Sequence, residues 1–189
     1  MEDVLFRGFH PHSKGTQKVC VNGKWYKGNW VEGYYALHNE IAYCFKNDME
    51  AHPDNTKHLI IKDGLADWNM PVPMEKYEVL PETVTQYINL TDCEHKMLFV
   101  GDIVCWNRND ITLTDGYFGT YQYKDILYIA KLKSGYTLLS PVDNSPNMPN
   151  ANGKIGNYQL WNMHRFLRKI GNIFENPELL EKRKYGNDE

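Results

Sequence analysis

Metal-ligating side chains crowd together at two places in this chain of 189 residues: His10 and His12 on either side of Pro11, and the run Asp92-Cys93-Glu94-His95. A metal centre needs donors converging from at least two elements, and Asp92 to Lys96 reads instead as a polar turn between apolar segments. The four cysteines, Cys20, Cys44, Cys93 and Cys105, lack the short spacing of a zinc knuckle or a redox pair. No metal site is expected. The acid pairs Glu75 with Glu78 and Asp110 with Asp115 have the residue type for general acid-base work, but they read as solvated turn residues. The chain has no glycine-rich loop ending in Gly-Lys-Ser/Thr, no Gly-x-Gly-x-x-Gly, no His-Glu-x-x-His and no Gly-x-Ser-x-Gly. The expectation is a protein that is not an enzyme and needs no cofactor.

Binding chemistry has better candidates. Trp106, Arg108, Tyr117, Tyr121 and Tyr123 combine an arginine able to clamp a phosphate with rings able to stack on a base. The 13 tyrosines and an aromatic content of 13% supply flat surfaces for bases or protein partners alike. Because Tyr121 and Tyr123 alternate, they fall on one strand face, which suits barrel core or sheet cover as well as a ligand site. A second set is basic, comprising Arg165, Arg168, Lys169, Lys182, Arg183 and Lys184. Late basic runs commonly form a solvated face that offsets a helix dipole, so nucleic acid is the less favoured partner.

The elements that must position these residues are mostly strands. Asn22-Gly23, between Val19-Cys20-Val21 and Lys24-Trp25-Tyr26, supplies two residues tolerant of positive φ and predicts a hairpin. Trp30 to Leu37 is rich in aromatic and β-branched residues, and Ile41 to Phe45 is a candidate to pair with it. Residues 46–58 are polar and read as a loop. Pro81 and Glu82 open one or two predicted helical turns through Thr83 to Tyr87. Leu98 to Trp106 reads as a buried strand broken at Gly101-Asp102. A meander of Tyr117 to Tyr123, Ile126 to Lys133 and Tyr136 to Ser140 follows, the last two joined at hairpin spacing through Ser134-Gly135. Residues 141–157, with three prolines, five asparagines and two glycines, form a long loop. Asn176-Pro177-Glu178 caps a predicted terminal helix running towards Lys184. Short strands with one or two short helices imply a mainly β fold, a small barrel or a pair of coiled sheets.

Composition narrows the class further. Hydrophobic residues make up 42% and charged residues 24%, the balance of an ordinary globular domain rather than a disordered or fibrous chain. Net charge is -3, so no global field draws the protein to nucleic acid or to an acidic membrane. Glu2 and Asp3 stand where a signal peptide would carry positive charge, and no apolar run reaches a membrane-spanning length. A cytoplasmic protein with reduced cysteines is expected.

A set of ordered phrases resembles the YopX family, small proteins encoded mostly by phages and prophages. They are Phe6-Arg7-Gly8, Trp30-Val31-Glu32-Gly33-Tyr34, Val79-Leu80-Pro81-Glu82-Thr83-Val84 with Gln86-Tyr87, Phe99 with Gly101-Asp102-Ile103-Val104, and Ile170-Gly171-Asn172-Ile173-Phe174-Glu175-Asn176-Pro177-Glu178-Leu179-Leu180. The resemblance implies a β-rich fold containing an SH3-like barrel and no established activity. Its phrases read as architecture: Gly8, Gly33, Gly101 and Gly171 suit turns and close crossings, while Trp30, Tyr34, Val84, Ile103, Val104 and Ile173 suit the core.

The expected organisation is a β-rich subdomain over 1–76, a barrel subdomain over 77–180 and a charged tail over 181–189. The expected function is that of a non-catalytic phage or prophage accessory protein in the host cytoplasm. Its partner would be a small nucleotide-like ligand or a host protein, and it would self-associate as a homo-oligomer. A nucleic-acid-binding module and a virion or assembly protein are the alternatives.

Overall fold

The computed structural model describes residues 4–42, 44–64, 72–106, 127–132, 135–139, 160–161 and 164–180. The chain divides into two compact units, Met1–Gln86 and Tyr87–Glu189.

In the first unit, β1 (Phe6–Pro11), β2 (Gln17–Val21), β3 (Lys24–Asn39), β4 (Thr56–Asp63) and β5 (Met74–Glu78) are all joined by antiparallel pairing. The order is β5-β4-β3-β1, with β2 also on β3. The 16-residue β3 is the spine: its start pairs with β2, its middle with β1 and its end with β4. Asn22 and Gly23 turn β2 into β3 with φ values of 51° and 77°, as their side chains allow. Val31, Ile60 and Val79 form the core of this unit, with Phe6, Tyr35, Tyr77 and Val84 packed against them.

Ile41 to Phe45 does not pair with β3; that place is taken by β4. Asn55, 6% exposed, is the reason. Its Oδ1 accepts from the Ile41 N–H at 2.7 Å and its Nδ2 donates to the Ile41 carbonyl at 2.8 Å, so one side chain satisfies the backbone that a strand would have used. The polar stretch 46–58 is also more ordered than a loop, holding α1 (Lys46–Ala51), a 3-10 turn (Pro53–Asn55) and the start of β4. Tyr34 is 51% exposed on β3 and is not a core residue.

After β5 the chain crosses back to β1. The Leu80 N–H donates to the Phe9 carbonyl at 3.0 Å, and the Phe9 N–H donates to Thr83 Oγ1 at 2.9 Å. The expected helix from Pro81 is one 3-10 turn, Pro81–Thr83, because Thr83 Oγ1 is also committed to the Leu80 carbonyl and the β-branched Val84 and Thr85 favour extended backbone. β6 (Thr85–Thr91) then begins beside β1 and runs through the boundary between the units. The subdomain boundary expected between residues 76 and 77 falls inside β5.

In the second unit, the rest of β6 pairs with β7 (Met97–Phe99), with a register shift between Tyr87 and Thr91 where Asn89 has φ 60°. β8 (Asp102–Trp106), β9 (Leu127–Leu132), β10 (Gly135–Leu139) and β11 (Leu167–Asn172) form a four-stranded sheet in the order β10-β9-β8-β11. The break at Gly101-Asp102 and the hairpin from β9 to β10 are as the sequence predicts. Its core comprises Ile88, Leu90, Leu98, Val104, Ile129, Leu160 and Leu167. Of the expected terminal helix, Pro177–Leu180 is a 3-10 turn, and its continuation towards Lys184 lies outside the described residues. The candidate strand Tyr117 to Tyr123 lies outside the described residues.

The mainly β class holds, but no closed barrel is found among the described residues. Closure needs the first and last strands of a sheet to hydrogen-bond, and β10 and β11 stand at opposite ends of theirs.

Candidate functional site

The side chains with the most binding chemistry in the described residues meet on one face of the first unit. Side chains alternate along a strand, so the register His10 with Asn29 puts these two residues on a common face with Val31. On the neighbouring strands Lys62 stands opposite Glu75, and Ile60 opposite Tyr77. The result is an open cavity of about 470 Å³ lined by His10, His12, Asn29, Trp30, Val31, Glu32, Lys62 and Tyr77.

Three of its polar groups, His10, Lys62 and Tyr77, are held by neighbouring side chains or backbone. His10 Nδ1 lies 2.6 Å from the Glu78 carbonyl oxygen, which only accepts, so the proton sits on Nδ1 and Nε2 is the nitrogen left for a ligand. The His10 and His12 rings lie 5.2 Å apart at 31°, and His10 meets the Tyr77 ring edge to face at 5.5 Å and 75°. Lys62 Nζ sits 5.1 Å from the Tyr77 ring centre and 3.5 Å from Glu75 Oε2. The Tyr77 hydroxyl donates to that same carboxylate oxygen at 2.6 Å. This bond holds the Glu75 carboxyl below its usual range, with Lys62 acting in the same direction, and it raises the Tyr77 hydroxyl above its own. Below the floor, Arg7 is 3% exposed; its guanidinium lies 4.7 Å from the Trp30 ring centre and its Nε donates to Thr85 Oγ1 at 3.1 Å.

Such a site can bind and orient. It offers imidazole and ammonium donors, an aromatic ring and an amide. Among the described residues no three potential metal ligands converge.

Trp106 ends β8 opposite Leu167, and Arg108, Tyr117, Tyr121 and Tyr123 lie outside the described residues. Of the basic set, Arg168 Nε bonds Glu94 Oε1 and Lys169 Nζ bonds Asp102 Oδ2, both at 2.9 Å, while Lys182, Arg183 and Lys184 are outside the described residues. The acids Glu75 and Glu78 are strand residues paired with Lys62 and Lys57 rather than turn residues. His10-Pro11-His12 was visible in sequence, but Lys62 and Tyr77 join it only through the β4 to β5 register.

The Asp92 to Lys96 stretch is the turn that its composition suggests. Asp92 Oδ1 accepts from the Glu94 and Lys96 N–H groups at 2.8 and 2.9 Å, and the Asp92 carbonyl accepts from the His95 N–H at 3.0 Å.

Among the described residues, two antiparallel sheets, one bearing a polar and aromatic cavity, define a mainly β protein. The sequence matches the family described as YopX protein over residues 29–181, and the chain belongs to that family. His10 and His12 precede the matched region. The crystal structure of protein EF1440 from Enterococcus faecalis is similar over 96% of this chain and 100% of that one, at 14% identity and a TM-score of 0.42. No curated protein matches the chain.

Proposed function

We propose that this YopX-family protein is a non-catalytic phage or prophage accessory protein that binds a small nucleotide-like molecule of its host. The cavity of about 470 Å³ carries the reading, since it falls within the size range of small-molecule sites and joins basic groups to an aromatic ring. The nucleic-acid alternative loses support because Arg168 and Lys169, two of its cations, are engaged by Glu94 and Asp102.

Native mass spectrometry of the purified protein, before and after incubation with a bacterial nucleotide extract, tests the reading and reports the assembly size together. A retained mass increment in the nucleotide range is expected. A clean, unliganded mass rejects the small-ligand reading and moves the search to a host protein partner.

A further inference from the structure

We infer that the outer face of the β2 to β3 hairpin binds single-stranded nucleic acid, with Lys18 and Lys27 meeting phosphates and Trp25 stacking on a base. This surface goes beyond the small-molecule reading and does not rest on the cavity. It belongs to the first unit, whereas Arg168 and Lys169 belong to the second.

The hairpin lies in a stretch without acids. From Val4 to Val31 the chain contains Arg7, Lys14, Lys18, Lys24 and Lys27 and no Asp or Glu. The net charge of -3 describes the whole chain, but salt confines the field of a surface charge to about 10 Å, so the local excess of lysine decides what this face attracts. Lys18 and Lys27, both exposed, stand directly opposite each other on β2 and β3. The Lys27 carbonyl accepts from the His12 N–H at 2.9 Å, on the side of β3 away from β2. Lys18 and Lys27 therefore form a non-hydrogen-bonded pair, the kind in which facing side chains stand closest. Like charges in that position destabilise a sheet, and neither lysine has an ion pair to offset the cost. The next acid along β3, Glu32, falls on the opposite face of the strand.

Trp25 stands on the same face as Lys27, one step along the alternation, and its cross-strand partner is Cys20. The indole is 54% exposed. The other face of the hairpin is its anchor: Val19 and Val21 are buried there, opposite Tyr26 and Lys24, and Lys24 Nζ lies 5.1 Å from the Tyr26 ring centre. The outer face is left with a flat ring beside two unpaired ammonium groups, the combination of a stacking platform and a phosphate track. A single strand supplies a charge and an open base face at every step. A duplex hides its base faces in the stack, and an acidic peptide brings carboxylates without bases.

The test is fluorescence anisotropy of labelled oligodeoxythymidine and oligouridine titrated with the full chain over a series of salt concentrations, with duplex DNA and poly-glutamate as competitors. Binding to the single strands is expected, with log Kobs falling linearly as log salt rises. Lys18→Gln and Lys27→Gln should each reduce that slope by about 0.7. Trp25→Ala should weaken binding about tenfold at an unchanged slope, and Trp25→Phe, which keeps a ring, should lose less. All three positions are exposed, and thermal melts check that each variant folds.

Tighter binding of either strand supports the inference and identifies the sugar that the surface prefers. No binding at the lowest salt overturns it, as do affinities and slopes unchanged in the lysine and Trp25→Ala variants, which would place any binding elsewhere. Tighter binding of duplex than of single strands also overturns it. Displacement by poly-glutamate at equal charge concentration does the same and assigns the face to an acidic protein.

Discussion

The backbone N–H of Lys169 donates to Asp92 Oδ2 at 2.9 Å, across a sequence separation of 77 residues. The other oxygen of the same carboxylate organises the 92–96 turn, so one side chain that is 3% exposed both shapes a turn and attaches it to β11. Asp92→Ala removes the acceptor of three N–H groups and should destabilise the protein by about 2–4 kcal/mol, read as a lower urea midpoint at unchanged slope. A midpoint equal to that of the parent protein would reject this role.

Lys169 contributes its side chain as well. Its Nζ lies 2.9 Å from Asp102 Oδ2, and Asp102 is fully buried and also accepts from the Phe99 N–H at 2.8 Å. Lys169→Ala leaves a buried carboxylate without its cation and should cost about 3–5 kcal/mol. The double variant Lys169→Met with Asp102→Asn should recover part of that loss, because the uncompensated charge is gone. Equal stability of the Lys169→Ala protein and its parent would show that the ion pair contributes nothing.

Gly171 lies where the Asn176 side chain passes, and a Cβ there would overlap Asn176 Oδ1. The turn after β11 is set by Asn172, 1% exposed, whose Oδ1 accepts from the Phe174 and Glu175 N–H groups at 2.9 Å each. Gly171→Ala should therefore destabilise by about 1–3 kcal/mol, and Asn176→Ala in the same chain should relieve part of the clash. Strictly additive effects in a double-mutant cycle would contradict the contact.

Glu94 accepts from Lys96 Nζ at 2.7 Å and from Arg168 Nε at 2.9 Å. The hydrogen bond and charge of Lys96, then the charge of Arg168, hold the Glu94 carboxyl below its usual range, and the same bond holds the Lys96 ammonium above its own. The carboxyl contribution is present above the unfolded carboxyl value and lost as pH falls through the lower folded value. The lysine contribution is present below the unfolded lysine value and lost as pH rises through the higher folded one. Both groups are solvent-exposed, so the expected result is a displaced midpoint in a side-chain NMR titration, reduced for Glu94 by Lys96→Met, with the Arg168 contribution remaining. An undisplaced Glu94 midpoint in the parent protein contradicts the pair.

Local chemistry accounts for what was legible in advance. Asn22-Gly23 dictates a hairpin because two consecutive positive φ values are cheap only for such residues, and Gly101, at φ 84°, breaks the apolar run into β7 and β8. Short runs of aromatic and β-branched residues between turn signals made the chain mainly β, and the ordered phrases from Phe6 to Leu180 marked the YopX family, whose model matches residues 29–181. Where a side chain reached across the sequence, reading failed. Asn55 capping Ile41 turned a predicted strand into a connection, and Thr83 bonding both Phe9 and Leu80 cut a predicted helix to a single turn.

By itself, then, the sequence determined the class of fold, its principal turns and the absence of the searched enzyme motifs, because each of these depends on neighbours within a few residues, and it determined the family through phrases in a fixed order along the chain. The cavity was decided by tertiary structure. His10 and His12 come from β1 and its end, Asn29 from β3, Lys62 from β4 and Tyr77 from β5, and these residues share a face only because three antiparallel registers agree. A one-residue slip in any of them would send a whole row of side chains to the opposite face. Register is fixed by the burial of Val31, Ile60 and Val79 against one another, a long-range condition that no short stretch of sequence contains.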